Sequence, residues 1–279
     1  MRTIRTCAGL GDSVWLAMKL INQPEKFHWK LPDGHPQRGK QLFDLLPQIT
    51  ASCEYVPGMG YKMIKRSGYR GKWSGVRNEF YLEANTWLEA GKRIEGFLPD
   101  LPTSFILPYV TTDDEHNEAV NILGVGDEKY IGVYTSAYST ARQWGGWSSK
   151  EWYELITLIQ RHNSAYKFVF IGAEWDIGVS QEVMSTMKPE EFNNTIGKRL
   201  PVVVEILKRL DCFIGFPSGL SIINETLGAR QTVMFYPPHL AKMQNAWADP
   251  VRIESGQYKG CQFCEPKIIF EWLIENKKI

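Results

Sequence analysis

The residues best suited to binding an anion lie in a short turn rich in glycine and serine. Gly215-Phe216-Pro217-Ser218-Gly219 separates a short apolar run from a helix-like segment that ends at Gly228. The backbone N–H groups at such a helix start, together with the positive end of the helix dipole, favour a phosphate. The structural alternative is that Ser218 caps the helix in a tight turn after a strand.

A second turn places a carboxylate where a general base would be useful. Gly9-Leu10-Gly11-Asp12-Ser13 follows a strand-like run and precedes a helical pattern. The two glycines allow a sharp turn and the close approach of a ligand, and Asp12 either caps the helix or takes a proton from a substrate. A nicotinamide fingerprint would need a third glycine where Val14 stands, so that cofactor is not favoured.

Positive charge is concentrated in one segment of the N-terminal half. The stretch from Lys62 to Arg77 holds six basic residues, interleaved with aromatic ones, and no acidic residue. It is either a solvated loop or a surface for a polyanionic acceptor, with Lys65, Arg66 and Arg70 as the candidate contacts. The formal net charge of +1 argues against a dedicated nucleic-acid binder, although a local patch is sufficient for one.

The remaining chemistry-bearing residues indicate neither a metal site nor a membrane span. The five cysteines lie mostly in apolar contexts, and Cys261-x-x-Cys264 has no second pair to complete a zinc site. The sequence has no Asp-x-Asp motif, no signal-peptide pattern and no apolar run of membrane-spanning length. We therefore expect a cytoplasmic monomer without a metal or other cofactor.

The elements that must position these residues alternate between strands and helices. In the second half the predicted strands are Tyr130–Tyr134, Lys167–Ile171, Cys212–Ile214 and Thr232–Tyr236. This alternation predicts a doubly wound parallel sheet, whose ligands bind beyond the carboxyl ends of its strands. The loops Thr135–Gly146, Gly172–Asp176 and Phe216–Leu220 would converge there, which favours the functional interpretation of Ser218 and Gly219.

Three segments of this half resemble a known family. YIGVYTSAYSTARQW, FVFIGAEWD and LKRLDCFIGFPSGLSIINETLGARQTVMFYP are similar, in this order, to the donor half of the ADP-heptose:lipopolysaccharide heptosyltransferases, glycosyltransferase family 9. The early GLGDSV resembles the Gly-x-Gly-Asp turn of that family. The resemblance covers most of the chain and is strongest from Tyr130 to Pro238.

The resemblance implies an α/β protein of the GT-B type, with two Rossmann-like doubly wound domains that face a central cleft. The implied acceptor domain spans residues 1–126, the nucleotide-sugar domain spans residues 127–265, and a C-terminal helix at 266–279 packs back on the N-terminal domain. Asp12 would be the catalytic base, with Gly11 and Ser13 beside the acceptor. The implied donor-binding residues are Thr135, Ser136, Arg142, Gly172, Glu174, Ser218 and Gly219.

One departure from the family pattern concerns the last of these sites. The family usually has Asp-Ser-Gly-Pro-x-His where this chain has Pro217-Ser218-Gly219-Leu220-Ser221-Ile222. An aspartate and a histidine are therefore missing, while the backbone anion site needs only N–H groups and a small residue. Asn224 or Glu225 on the following helix could take over sugar or ribose contacts, although we expect Glu225 to face solvent.

Taken together, the residues and the resemblance predict an inverting, metal-independent glycosyltransferase. It would move a sugar from a nucleoside-diphosphate sugar to a hydroxyl of an anionic saccharide. One alternative is a phage-type glycosyltransferase that modifies a hydroxylated DNA base, with the Lys62–Arg77 segment on the nucleic acid. The other is a sugar-nucleotide-binding protein without catalysis.

Overall fold

The computed structural model of the chain describes residues 2–5, 10–22, 27–32, 41–49, 51–56, 73–74, 79–81, 104, 106–135, 147–215, 219–228, 231–234 and 265–279. The chain divides into two compact units, the first mainly Met1–Val110 and the second mainly Thr111–Glu225 with the C-terminal segment that ends at Ile279. Each described unit contains a five-stranded sheet. The protein is therefore of the α/β class, as the alternation of strands and helices predicts.

The first unit is organised around its first strand. Its elements are β1 (Arg2–Arg5), α1 (Leu10–Leu20), β2 (Phe27–Pro32), β3 (Ala51–Val56), β4 (Trp73–Ser74) and β5 (Glu79–Tyr81). The strand order is β3-β2-β1-β5-β4, and β1 pairs in parallel with both β2 and β5. The short β4 is antiparallel to β5. Helix α1 buries Val14, Ala17 and Met18, whose helical spacing places them on one apolar face.

The second unit is a doubly wound sheet. Its elements are α2 (Asp113–Leu123), β6 (Lys129–Tyr134), α3 (Ser149–His162), β7 (Tyr166–Phe170), α4 (Ile177–Met184), β8 (Phe192–Asn194), α5 (Leu200–Leu207), β9 (Cys212–Gly215), α6 (Gly219–Thr226), β10 (Gln231–Met234) and α7 (Pro266–Glu275). The strand order is β10-β9-β6-β7-β8, and every pairing is parallel.

Local sequence signals explain where two of its helices begin. Thr112 caps α2 and Ser148 caps α3, each in a reciprocal capping box with the glutamate three residues later, Glu115 and Glu151. Such boxes satisfy backbone N–H groups that the first turn of a helix leaves without partners. Helix α2 then ends at Gly124, whose φ of +90° suits glycine.

The core lies between the sheet and its helices. Helix α3 buries the apolar stripe that its sequence predicts, and all eight residues of α5 are buried. In β6 every residue after Lys129 is buried, because parallel strands with helices on both faces have no solvent side. Among the described residues, no helix is both long and apolar enough to cross a bilayer.

The compact units divide between Val110 and Thr111, because α2 packs on α5 and so joins the second unit. Helix α7 belongs to the second unit and packs on α3, with the rings of His162 and Phe270 5.8 Å apart. The domain bounds given in the sequence analysis and the packing of its C-terminal helix on the N-terminal domain stay predictions. Helix α4 and strand β8 were not predicted.

Candidate functional site

The strand order of the second sheet indicates where a ligand would bind. From β6 the chain adds β7 and β8 on one side, then returns to place β9 and β10 on the other. The order therefore reverses between β6 and β9. In open α/β sheets, ligands bind outside the carboxyl ends of the strands at such a reversal. The predicted donor loops begin from the carboxyl ends of β6 and β9, the two strands on either side of this reversal.

The carboxyl ends of β6 and β9 are held very close together. Tyr134, the last residue of β6, pairs with Gly215, the last residue of β9. A Cβ atom on Gly215 would lie 2.6 Å from Cβ of Tyr134 and 2.8 Å from its carbonyl oxygen. Only glycine fits at that distance, so Gly215 brings the two loop starts together.

The hydroxyl of Thr135, the first residue after β6, faces the protein interior. Its Oγ1 lies 2.7 Å from Oγ of Ser180 on α4, and either atom can be the donor. The exposed fractions of the two residues are 2% and 1%. Ser136 and Arg142, predicted beside Thr135 as donor ligands, lie outside the described residues.

Helix α6 starts where the sequence places the anion site. It begins at Gly219, which is half-buried, and every later residue of the helix is buried. Ser218 lies outside the described residues. Asn224 and Glu225 are 1% and 4% exposed. The expectation that Glu225 faces solvent is therefore wrong, because α6 is covered along its whole length from Leu220 to Thr226.

The loop after β7 is fixed by a buried carboxylate. Oδ2 of Asp176 accepts a hydrogen bond from the N–H of Ala173 at 2.8 Å, and Asp176 is only 3% exposed. Gly172 lies against this side chain: a Cβ there would be 3.0 Å from Cβ of Asp176. The site prediction included Gly172 and missed Asp176, although an aspartate that follows a strand-end glycine is a usable signal for a loop cap.

Glu174 lies at the rim of the same loop. It is exposed, and Gly197 after β8 lies beneath it, since a Cβ on Gly197 would be 3.1 Å from Cγ of Glu174. Gly197 has a φ of +83° and donates its N–H to the carbonyl of Gly172 at 3.0 Å. The loop after β8 thus supports the loop after β7, and it leaves the carboxylate of Glu174 at the surface of this rim.

In the first unit the predicted catalytic turn also follows a strand at a reversal of order. Gly11, Asp12 and Ser13 lie in the first turn of α1, which follows β1, the strand between β2 and β5. Gly11 is half-buried and Ser13 is 2% exposed. The side chain of Asp12 and the predicted acceptor contacts Lys65, Arg66 and Arg70 lie outside the described residues.

A carboxylate of the second unit with a clearly lowered pKa lies elsewhere. Glu205 receives hydrogen bonds from Thr111 Oγ1 at 2.5 Å and from Lys208 Nζ, and His116 Nδ1 lies 2.9 Å from its Oε2. Burial raises the pKa of Glu205, but these contacts outweigh it and hold the pKa at about 2. Glu205 lies near the end of α5, toward the amino ends of the strands, so we assign it a structural role.

No cluster of metal ligands accompanies these loops within the described part of the chain. No group of three or more His, Cys, Asp and Glu side chains there is arranged to hold a metal ion. The described polar groups at the carboxyl edge are instead the exposed carboxylate of Glu174 and the N-terminus of α6, beside the buried Thr135–Ser180 pair and the buried Asp176. A carboxylate suits hydroxyl-bearing ligands, and a helix N-terminus suits anionic ones.

Comparison with solved structures identifies the fold. The structure of E. coli ADP-heptose lps heptosyltransferase II has a TM-score of 0.64 and 15% identity to this chain, and the match covers 99% of this chain and 98% of that one. A glycosyl transferase of family 9 from Veillonella parvula DSM 2008 has a TM-score of 0.66 and 16% identity, with 99% and 96% covered. A putative UDP-N-acetylglucosamine 2-epimerase from Listeria monocytogenes has a TM-score of 0.62 and 12% identity, with 100% and 88% covered.

No protein-family model matches the chain, and no curated protein matches it in sequence. The structural matches extend over almost the whole chain, so they apply to both units. At these identities they establish the fold and leave the activity open. The protein thus has the GT-B type of α/β fold that its resemblance to the heptosyltransferases implies.

Proposed function

We propose that this protein is a glycosyltransferase that moves a sugar from a nucleoside-diphosphate sugar to a hydroxyl of an anionic saccharide. The observation that carries the proposal is the reversal of strand order between β6 and β9, with the start of α6 beside it. The structural relatives support the same ligand class. One is named for ADP-heptose and another for UDP-N-acetylglucosamine, both of which are nucleoside-diphosphate sugars.

The donor diphosphate would bind at this reversal. The backbone N–H groups at Ser218 and Gly219 and the positive end of α6 would face the diphosphate. The loop that starts at Thr135 would add the hydroxyl of Ser136 and the guanidinium of Arg142, which can bind a phosphate with two parallel hydrogen bonds. Exposed Glu174, above Gly197, would accept hydrogen bonds from hydroxyls of the donor.

The acceptor would bind in the first unit. Asp12 in the first turn of α1 would take the proton from the acceptor hydroxyl, which attacks the anomeric carbon from the face opposite the diphosphate. One such displacement inverts the configuration at that carbon. The neighbouring Gly11 and Ser13 would shape the turn. Lys65, Arg66 and Arg70 would attract an anionic acceptor.

The leaving diphosphate would be stabilised without a metal ion. Charge develops on its leaving oxygen, and fixed N–H groups and a guanidinium stabilise such charge because they need no reorganisation. Metal independence predicts that EDTA leaves the initial rate unchanged. The odd number of cysteines in apolar contexts supports a cytoplasmic location. For the oligomeric state we propose a monomer.

The decisive experiment screens ADP-, UDP-, GDP- and dTDP-sugars with the full chain. Thermal stabilisation reports binding, release of the nucleoside diphosphate reports turnover, and mass spectrometry of the products separates transfer from epimerisation. We expect one donor to stabilise the protein and its sugar to be transferred to a phosphorylated oligosaccharide. Binding without turnover on any acceptor would instead indicate a sugar-nucleotide-binding protein.

The DNA alternative is tested by salt dependence. A protein that contacts several phosphates of a duplex binds it more weakly as the salt concentration rises. The logarithm of the affinity then falls with the logarithm of the salt concentration, with a slope near −0.9 per contacted phosphate. A saccharide with one or two phosphates gives a shallow slope. The acceptor in the proposal would be DNA instead of a saccharide if two results are obtained. The protein would transfer the sugar to a hydroxylated base in duplex DNA, and its binding to the duplex would show a steep salt dependence that is lost when Lys65, Arg66 and Arg70 are all replaced by alanine.

A further inference from the structure

Helix α4 supports the ends of two strands at the candidate donor site. It follows the loop after β7 directly and packs on α3, the helix that follows the loop after β6. Two buried polar contacts fix this region. Asp176, immediately before α4, accepts the N–H of Ala173 at 2.8 Å, and Ser180, about one turn later, shares a 2.7 Å hydrogen bond with Thr135. One helix therefore connects the end of β7 with the end of β6.

The burial of this hydroxyl pair determines what Thr135 can do. Thr135 is 2% exposed and Ser180 is 1% exposed, so the hydroxyl of Thr135 is directed at Ser180 inside the protein. A ligand that binds at the carboxyl edge of the sheet would have to compete with Ser180 for this hydroxyl. Yet Thr135 is the residue from which the loop with Ser136 and Arg142 begins.

We propose that Ser180 is a positioning residue for the donor site, and that Thr135 serves this site through Ser180 instead of binding the donor with its own hydroxyl. The hydrogen bond between the two hydroxyls fixes the end of β6 on α4. Ser136 follows Thr135 directly in sequence, so this bond fixes the point from which the segment toward Arg142 begins. This inference rests on the proposed function, because it assigns a support to the diphosphate site.

The physical reason lies in the geometry that anion binding requires. Hydrogen-bond donors bind a diphosphate well only when they are held close to the productive geometry by residues whose own conformations are fixed. Asp176 holds the loop with Glu174 on one end of α4, and Ser180 holds the loop after β6 on the same helix. Loss of the Ser180 hydroxyl would remove the hydrogen bond that holds the end of β6 on α4.

The test measures dissociation constants for ADP, UDP, GDP and dTDP by calorimetry on the full chain. Ser180→Ala and Thr135→Val each remove one hydroxyl of the pair, and the double variant removes both. We expect each single variant to weaken the binding of whichever diphosphate the wild type binds by about fivefold to tenfold, the factor for one lost hydrogen bond. The double variant should bind no more weakly than either single one. Thr135→Ser, which keeps the hydroxyl, should bind like the wild type.

Tyr130→Phe is the matched control, because the buried hydroxyl of Tyr130 donates a hydrogen bond to Oε2 of Glu128 at 2.6 Å near the amino end of β6, away from the donor site. This variant should lower the melting temperature and leave the affinity unchanged. If the Thr135–Ser180 pair had only a structural role, Ser180→Ala would likewise lower the melting temperature and leave the affinity unchanged. That outcome would overturn the inference. Weak binding in Thr135→Val with normal binding in Ser180→Ala would overturn it too, since Thr135 would then contact the donor itself.

The two proposals fail in different ways. If the wild type binds none of ADP, UDP, GDP and dTDP, the nucleotide-sugar function is refuted, and the support role of Ser180 is refuted with it. If the wild type binds one of them and the two single variants have additive effects, only the inference about Ser180 is refuted. Additive effects would mean that the two hydroxyls act on separate contacts.

Discussion

Replacing the buried carboxylate of Glu205 should destabilise the second unit without affecting the donor site. Burial raises the pKa of Glu205. Hydrogen bonds from Lys208, Thr111 and His116 lower it by more than burial raises it, so that the pKa falls from the ordinary value of 4.5 to about 2. This displacement corresponds to about 3 kcal/mol of stability, because one pKa unit is worth about 1.4 kcal/mol. Glu205→Gln keeps the shape of the side chain and removes the charge.

The sign of the pH dependence follows from the direction of the shift. The pKa of Glu205 is lower in the folded state than in the unfolded state, so its contribution is fully present above about pH 4.5 and is lost as the pH falls toward 2. The free energy of unfolding of the wild type should therefore decrease over this interval. In Glu205→Gln it should be about 3 kcal/mol lower at pH 7 and should decrease less on acidification.

Urea denaturation followed by circular dichroism between pH 2 and 7 measures both quantities. Glu118→Gln is a matched control, because Glu118 pairs with Lys198 at 2.9 Å while both side chains are more than a third exposed. Such a pair contributes about 1 kcal/mol or less. Equal losses in the two variants, or an unchanged acid dependence in Glu205→Gln, would refute the reasoning. Nucleotide affinity at pH 7 should be the same in both variants.

Three further predictions concern the candidate site. Gly215→Ala should lower the free energy of unfolding, measured by urea denaturation, by about 1–3 kcal/mol, because its Cβ would lie 2.8 Å from the carbonyl oxygen of Tyr134. The control is Gly178→Ala in α4, which should be neutral or stabilising because there is open space around its Cβ. Arg142→Ala should weaken nucleoside-diphosphate binding by about 1.5–3 kcal/mol in calorimetry, and an unchanged dissociation constant would remove Arg142 from the site. Asp12→Asn should reduce turnover by about 100-fold or more at nearly unchanged donor affinity, whereas a helix cap would lose little because asparagine caps about as well.

Much of the second unit could be predicted because its signals are local. Ser148 and Glu151 mark the start of α3, and the apolar stripe that follows gives its buried face. Gly228, with a φ of +87°, lies two residues beyond the end of α6 as its glycine signal predicts. These features depend only on residues within one or two turns, so the sequence alone is enough to find them.

Helix α4 and strand β8 were missed because their stability comes from distant partners. Strand β8 has only three residues, two of them asparagines, which strands disfavour. It exists because Phe192–Asn194 pairs with β7, where the rings of Phe170 and Phe192 are in contact. Missing α4 also hid Ser180, whose partner Thr135 is 45 residues away in sequence. No local pattern indicates such a pair.

The departure from the family pattern at the last donor motif affects side chains more than the backbone. Helix α6 still begins at Gly219, so the N–H groups that suit a diphosphate are kept. Ile222, at the position of the usual histidine, is 1% exposed and belongs to the core, so an imidazole there would lose its solvation. Asn224 and Glu225, the residues considered as replacements, are also buried on α6, at 1% and 4% exposure. We therefore expect the diphosphate site to persist while the preference for the transferred sugar differs from that of the heptosyltransferases.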